Sequence, residues 1–195
     1  MITQRLRSGT SHWHELTEKG AFSAEIMNGT LSLEQYKTLL VKNYMIHFFA
    51  EDLLHKSDIS IQLPGLELEE RKRLAFLQSD LEALNVKIPD LTTLENPFEI
   101  ESKYDALGLM YVLEGSTLGG RVILKALARN PDFADVKAFR FYEGHGEDTG
   151  HFWKKYQEIL INEANDESAE DRIVNAANKT FEKVADIFCS SLSTN

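Results

Sequence analysis

The segment Arg7-Ser-Gly-Thr10-Ser-His12-Trp13-His14-Glu15-Leu-Thr-Glu18 holds residue types that bind and orient a metal. On a helix, Arg7, Thr10, His14 and Glu18 share one face, because they are spaced by three, four and four residues. A neutral imidazole is a good metal ligand, and a carboxylate one turn away orients it. Periodicity does not choose between His12 and His14, which flank Trp13 on either side of an apolar stripe. Both also fit as boundary histidines that bind nothing.

A second segment, 107–125, is helical by its apolar periodicity yet carries Gly108, Gly115, Gly119 and Gly120. Each glycine costs a helix roughly 0.5–1 kcal/mol against alanine. Such a cost has a reason: close approach of another backbone, a bend, or a ligand lying on bare backbone. Gly115 and Gly119 are one turn apart and share a face, so a flat group fits there; tight helix packing fits equally well.

The elements that must position these residues are helices. Period-2 alternation is scarce, only four prolines occur, and 27% of the 195 residues are charged against 43% hydrophobic. An apolar stripe at Ile2, Leu6, Trp13 and Leu16 marks a helix over 1–18. The Asn28-Gly29 pair reads as a turn, and Ser32 with Gln35 as a capping box that opens a helix over 32–56. Pro64-Gly65 breaks the chain before an amphipathic helix over 68–84. Residues 85–100 read as a loop, 102–128 as a long helix ended by Asn130-Pro131, 131–147 as irregular, and 148–164 and 168–190 as two more helices. The expected fold is all-α, a single multi-helical bundle of six or seven helices over 1–195.

Composition excludes several classes. A net charge of −10 disfavours nucleic acid. Glu114 and Arg121 interrupt the most apolar stretch, so it reads as a core helix and no membrane span is expected. The single cysteine, Cys189, permits no internal disulfide and no CxxC site. With no apolar leader-like stretch near Met1, a cytoplasmic location is expected.

Taken together, the two chemical segments resemble the haem oxygenase family. The run Thr10-x-x-x-His14-x-x-x-Glu18, with Gly29 fifteen residues after His14, is similar to the context of the family's proximal histidine, which corresponds to His14 rather than His12. The string YVLEGSTLGG over 111–120 resembles the family's distal glycine-rich helix, in particular that of the bacterial branch found beside phytochromes. The segment from Asp148 to Tyr156 is a looser match to a helix that supplies basic residues to the haem propionates.

The resemblance implies a haem oxygenase-like fold with haem between the first helix and the glycine-rich one. It also implies oxidative cleavage of haem to biliverdin, carbon monoxide and ferrous iron, using O2 and electrons from an external reductase or ferredoxin. Haem is then both substrate and cofactor. A biliverdin-using phytochrome is the implied downstream partner. His14 would hold the iron and Glu18 its imidazole, on the face shared with Thr10. Gly115, Gly119 and Gly120 would let the distal backbone approach the ring, and the Ser116 hydroxyl would join a distal hydrogen-bond network. Arg7 and Lys154, with Lys155 and Arg121 next, would pair with propionates. Ser116 stands where many members carry aspartate; the phytochrome-associated branch tolerates this, and the source of protons is left open. Two rivals are a haem-sequestering protein of the same fold without turnover and a thiaminase-like helical enzyme. The second leads one to expect a reactive cysteine within the core, whereas Cys189 lies near the C-terminus.

Overall fold

A computed structural model describes residues 1–190, and these form helices and connecting turns with no strand among them. The α-helices are α1 (Ile2–Gly9), α2 (Ser11–Gly20), α3 (Ser23–Asn28), α4 (Leu33–Lys56), α5 (Ile59–Gln62), α6 (Leu74–Ala83), α7 (Lys103–Leu127), α8 (Arg140–Glu143), α9 (Thr149–Glu163) and α10 (Glu167–Cys189). The long helices α4, α7 and α10 pack around one apolar core that includes Leu39, Leu40, Leu107, Met110, Ile173 and Phe181. No described helix is long and apolar enough to cross a membrane.

Local chemistry sets several boundaries where the sequence puts them. Gly29 adopts φ 69° and closes α3, the left-handed conformation that glycine takes without strain. Ser32 and Gln35 form the reciprocal capping box at the start of α4. The charge inside α7 is explained by a buried ion pair, Glu114 to Arg71 at 2.6 Å. Burial of such a pair demands further hydrogen bonds, and Arg71 donates to the carbonyls of Leu66 and Phe152.

Elsewhere the expectations need correction. The helix over 1–18 is two helices, because Thr10 leaves helical geometry at φ −109° while its buried hydroxyl donates to the Leu6 carbonyl. The helix over 68–84 is a 3-10 turn, Leu68–Arg71, followed by α6. The Glu51 carboxylate accepts from the N–H groups of Arg73 and Leu74, at 2.7 and 3.1 Å, and so places the start of α6 at Leu74. Residues 131–147 contain the short α8. Its first N–H groups, those of Arg140 and Phe141, donate to buried Asp80 on α6 at 3.0 and 2.9 Å. Short helices such as α3, α5 and α8 raise the number of helical segments above the six or seven expected.

Candidate functional site

Helices α2, α4, α7, α8, α9 and α10 together line a mainly apolar cavity of about 370 Å³. His14, Thr17 and Glu18 enter it from α2, and Phe181, Val184 and Phe188 from α10. Asn43, Ile46 and His47 enter from α4, Tyr111, Val112, Gly115, Ser116 and Gly119 from α7, Phe141 and Tyr142 from α8, and Trp153 from α9.

The glycines of α7 divide by what surrounds them. A Cβ on Gly108 would lie 2.5 Å from the α10 backbone at Ala177, and one on Gly120 would lie 2.6 Å from the Tyr142 carbonyl oxygen. These two permit helix packing. A Cβ on Gly115 or Gly119 would meet nothing within 4 Å. Their absent side chains leave bare backbone on the cavity, which is what a flat ligand needs. Gly120, expected at the ligand face, instead touches Tyr142 and does not line the cavity.

Of the two N-terminal histidines, His14 lines the cavity; His12 does not and lies edge-on to Trp13. The His14 ring is 57% exposed, sits 5.8 Å edge-on from Phe181, and has Nδ1 3.7 Å from Glu18 Oε1. Glu18 is equally open, at 55%, so the pair is a loose one. Thr10 is buried, with its hydroxyl given to the Leu6 carbonyl. Burial holds the Tyr111 phenol above its ordinary pKa, so it stays protonated. Arg7 does not line the cavity; it stands in an adjoining groove with Tyr111 and Trp153, which line both.

Ser116 borders the cavity, but its hydroxyl donates to the Leu113 carbonyl at 2.7 Å. Its oxygen is left to accept a hydrogen bond rather than to give one. Lys154 is not brought to the cavity: its side chain is 78% exposed, with the ammonium 3.9 Å from Glu158. It is Trp153 that reaches in from α9. Lys155 is paired with Glu67.

Sequence reasoning missed His47. Its Nδ1 lies 2.9 Å from Glu51 Oε1, and the two side chains are 4% and 11% exposed. The signal was present, since His47 and Glu51 repeat the four-residue spacing of His14 and Glu18. Behind His47 lies a second chamber of about 570 Å³, bordered by the charged side chains of Glu51, Arg71, Arg73 and Glu114. His47 and Leu113 line both cavities and form the partition between them.

A family model described as "Heme oxygenase" matches residues 1–190. A heme oxygenase of Xanthomonas campestris pv. campestris is 30% identical over 133 residues, covering 68% of this chain and 75% of that one. The fold is similar to that of the heme oxygenase from Leptospira interrogans, with a TM-score of 0.79 and 23% identity over 96% of this chain and 98% of that one. It is also similar to heme oxygenase-1 of the cyanobacterium Synechocystis, solved in complex with heme, with a TM-score of 0.74 and 20% identity over 96% and 90% of the two chains. With a family match that spans all the described residues, the chain belongs to the haem oxygenase family of enzymes.

Proposed function

We propose that the cavity takes haem as substrate, with His14 as the residue that would hold its iron. The chain then opens the ring to biliverdin, carbon monoxide and ferrous iron, using O2 and electrons from an external reductase or ferredoxin. One observation carries this reading. Gly115 and Gly119 leave open space along one face of α7, in the same apolar cavity that His14 enters from α2. That combination of a flat backbone floor, apolar walls and one imidazole suits a porphyrin.

Once bound, haem supplies the iron and the ring on which the oxidative chemistry occurs. The protein's part is to hold, orient and enclose. His14 presents an imidazole whose Nδ1 faces Glu18, leaving Nε2 for the metal. Leu39, Ile46, Val112 and Phe181 line the cavity with hydrocarbon and exclude bulk water from it. Ser116 offers a lone pair that orders water near the glycine floor. Arg7, in the groove beyond Tyr111 and Trp153, is the basic residue we assign to a propionate, a pairing that would bias the ring's rotation about the iron–histidine bond. Lys154 and Gly120 are left with lesser parts, the first as a distant surface charge and the second as a packing contact. The YVLEGSTLGG string supports a phytochrome as the consumer of the product.

Haemin added to the purified chain, followed by a reductant, tests this. A histidine-ligated spectrum that bleaches as biliverdin and carbon monoxide appear is the expected outcome. Stable bound haem under reductant would instead favour sequestration, and no binding at all would overturn the reading.

A further inference from the structure

Cleaving haem with O2 consumes protons along with electrons, and Ser116 cannot donate one, since its hydroxyl hydrogen is engaged by the Leu113 carbonyl. Of the titratable side chains that line the cavity, His14 and Glu18 form the exposed pair and Tyr111 and Tyr142 are phenols held protonated by burial, which leaves His47 at the partition as the candidate donor. Its Nδ1 is held by Glu51. Glu51 also accepts the N–H groups of Arg73 and Leu74. A carboxylate that accepts from Nδ1 fixes the neutral ring's proton there and leaves Nε2 as the nitrogen able to exchange one. Nε2 has no hydrogen-bond partner among the described residues.

The ring is positioned from several sides. Phe141 of α8 lies edge-on at 5.2 Å. Glu51 faces it from its own helix, and the chamber beyond holds Arg73 at the start of α6, Arg71, and Glu114 on α7. Arg73 is buried, and one of its terminal nitrogens has no protein partner. Buried charges with unmet hydrogen-bonding capacity make this chamber hospitable to water. The other sheltered histidine nearby, His145, is a poor carrier. It stacks on Phe152, and burial with Arg73 and Arg71 pushes it down to about 4, so it stays neutral at ordinary pH.

We propose that His47 is the proton donor to the haem cavity, giving protons from Nε2 and regaining them at the same nitrogen from water at the partition between the two cavities. In each transfer the Nε2–H bond breaks, its electron pair stays on nitrogen, and an O–H bond forms on the oxygen-bearing group or water in the cavity. The ring is left neutral with Nδ1–H on Glu51, and water returning a proton to the vacated Nε2 restores the imidazolium. Electrons come from the external reductant and do not pass through His47.

This rests on the haem reading, and the test separates the two. Wild type, His47→Phe and His47→Gln are each loaded with haemin, and binding is read before any reductant is added. Both variants should bind with the wild-type spectrum and within about threefold of its affinity, because the ligand is His14. On reduction under O2, both should form biliverdin roughly a hundredfold more slowly, at the lower edge of what general acids contribute, with a larger solvent isotope effect. Glutamine fills the site and donates a hydrogen bond but cannot relay a proton, so a wild-type rate in His47→Gln would overturn the proposal. Loss of the histidine-ligated spectrum in that variant would also overturn it. Nitrogen-15 NMR of the haem-free protein gives a readout independent of turnover. Neutral His47 should carry its proton on Nδ1; a neutral form protonated on Nε2 would contradict the proposal even if the phenylalanine variant fails to fold. Failure of wild type itself to bind or degrade haemin would condemn the haem reading instead.

Discussion

Two histidine–glutamate pairs, each spaced four residues apart on a helix, present a histidine to the same cavity from opposite surroundings. His14 and Glu18 stand on α2, a helix with no fully buried side chain, and are more than half exposed at 3.7 Å. His47 and Glu51 stand on α4 and are almost wholly enclosed at 2.9 Å, with Glu51 also gripping the first N–H groups of α6. The first pair suits a ligand that must enter and leave. The second suits a group whose tautomer must not vary. Spacing alone makes the pairs look alike, so burial and the partners of the carboxylate assign their roles.

The largest expected contrast is in stability. Glu51→Ala strips two backbone N–H groups and His47 of their acceptor in a closed site. It should cost about 3 kcal/mol, which lowers the thermal midpoint by roughly 6–12 °C. Glu18→Ala should cost less than about 0.5 kcal/mol, since an exposed pair contributes little. Equal losses in thermal melts would show that the two pairs do not differ as described.

Next comes a contrast within α7. Gly120→Ala drives a methyl group against the Tyr142 carbonyl and should destabilise by about 1–3 kcal/mol. Gly119→Ala meets open space, so it should stabilise the haem-free chain by roughly 0.5–1 kcal/mol while weakening haemin binding. Melting with and without haemin reads both signs. Unchanged haemin affinity in Gly119→Ala and in the bulkier Gly119→Leu would return Gly119 to the status of a packing residue.

Much of this was legible in the sequence, and the parts that were not share a cause. The ends of α4, α7 and α10 follow from local signals: the Ser32–Gln35 box, Asn130-Pro131, and unbroken apolar periodicity. His14 was legible through its surroundings in the chain. The start of α6 was not, because the group that sets it, Glu51, lies 22 residues earlier than Arg73. The partner of Glu114 was hidden for the same reason, since Arg71 comes from a distant turn. The split among the α7 glycines depends on whether Tyr142 or empty space lies opposite, which no local pattern encodes. His47 was hidden by its company, in a helix whose Tyr44, Phe48 and Phe49 read as core.

Two smaller effects refine the cavity's edges. Ser116→Ala should slow biliverdin formation by only about two- to threefold, an effect below 1 kcal/mol, because its hydroxyl hydrogen already faces the Leu113 carbonyl. A complete loss would assign it the proton-donating role given to His47. Arg7→Ala should change the ratio of biliverdin isomers partially, as a solvent-screened charge would, while Lys154→Ala should leave it unchanged. Chromatography of the extracted pigments decides, and the reverse pattern would put the propionate grip on α9.

The most direct measurement of the division between the two pairs is a haemin titration of His12→Ala, His14→Ala and His47→Ala, read by absorption spectra beside wild type. Only His14→Ala should lose the histidine-ligated spectrum, and added imidazole should restore it in part. If His14→Ala keeps that spectrum and either other variant loses it, the iron ligand is not His14 and the roles assigned to the two pairs are wrong.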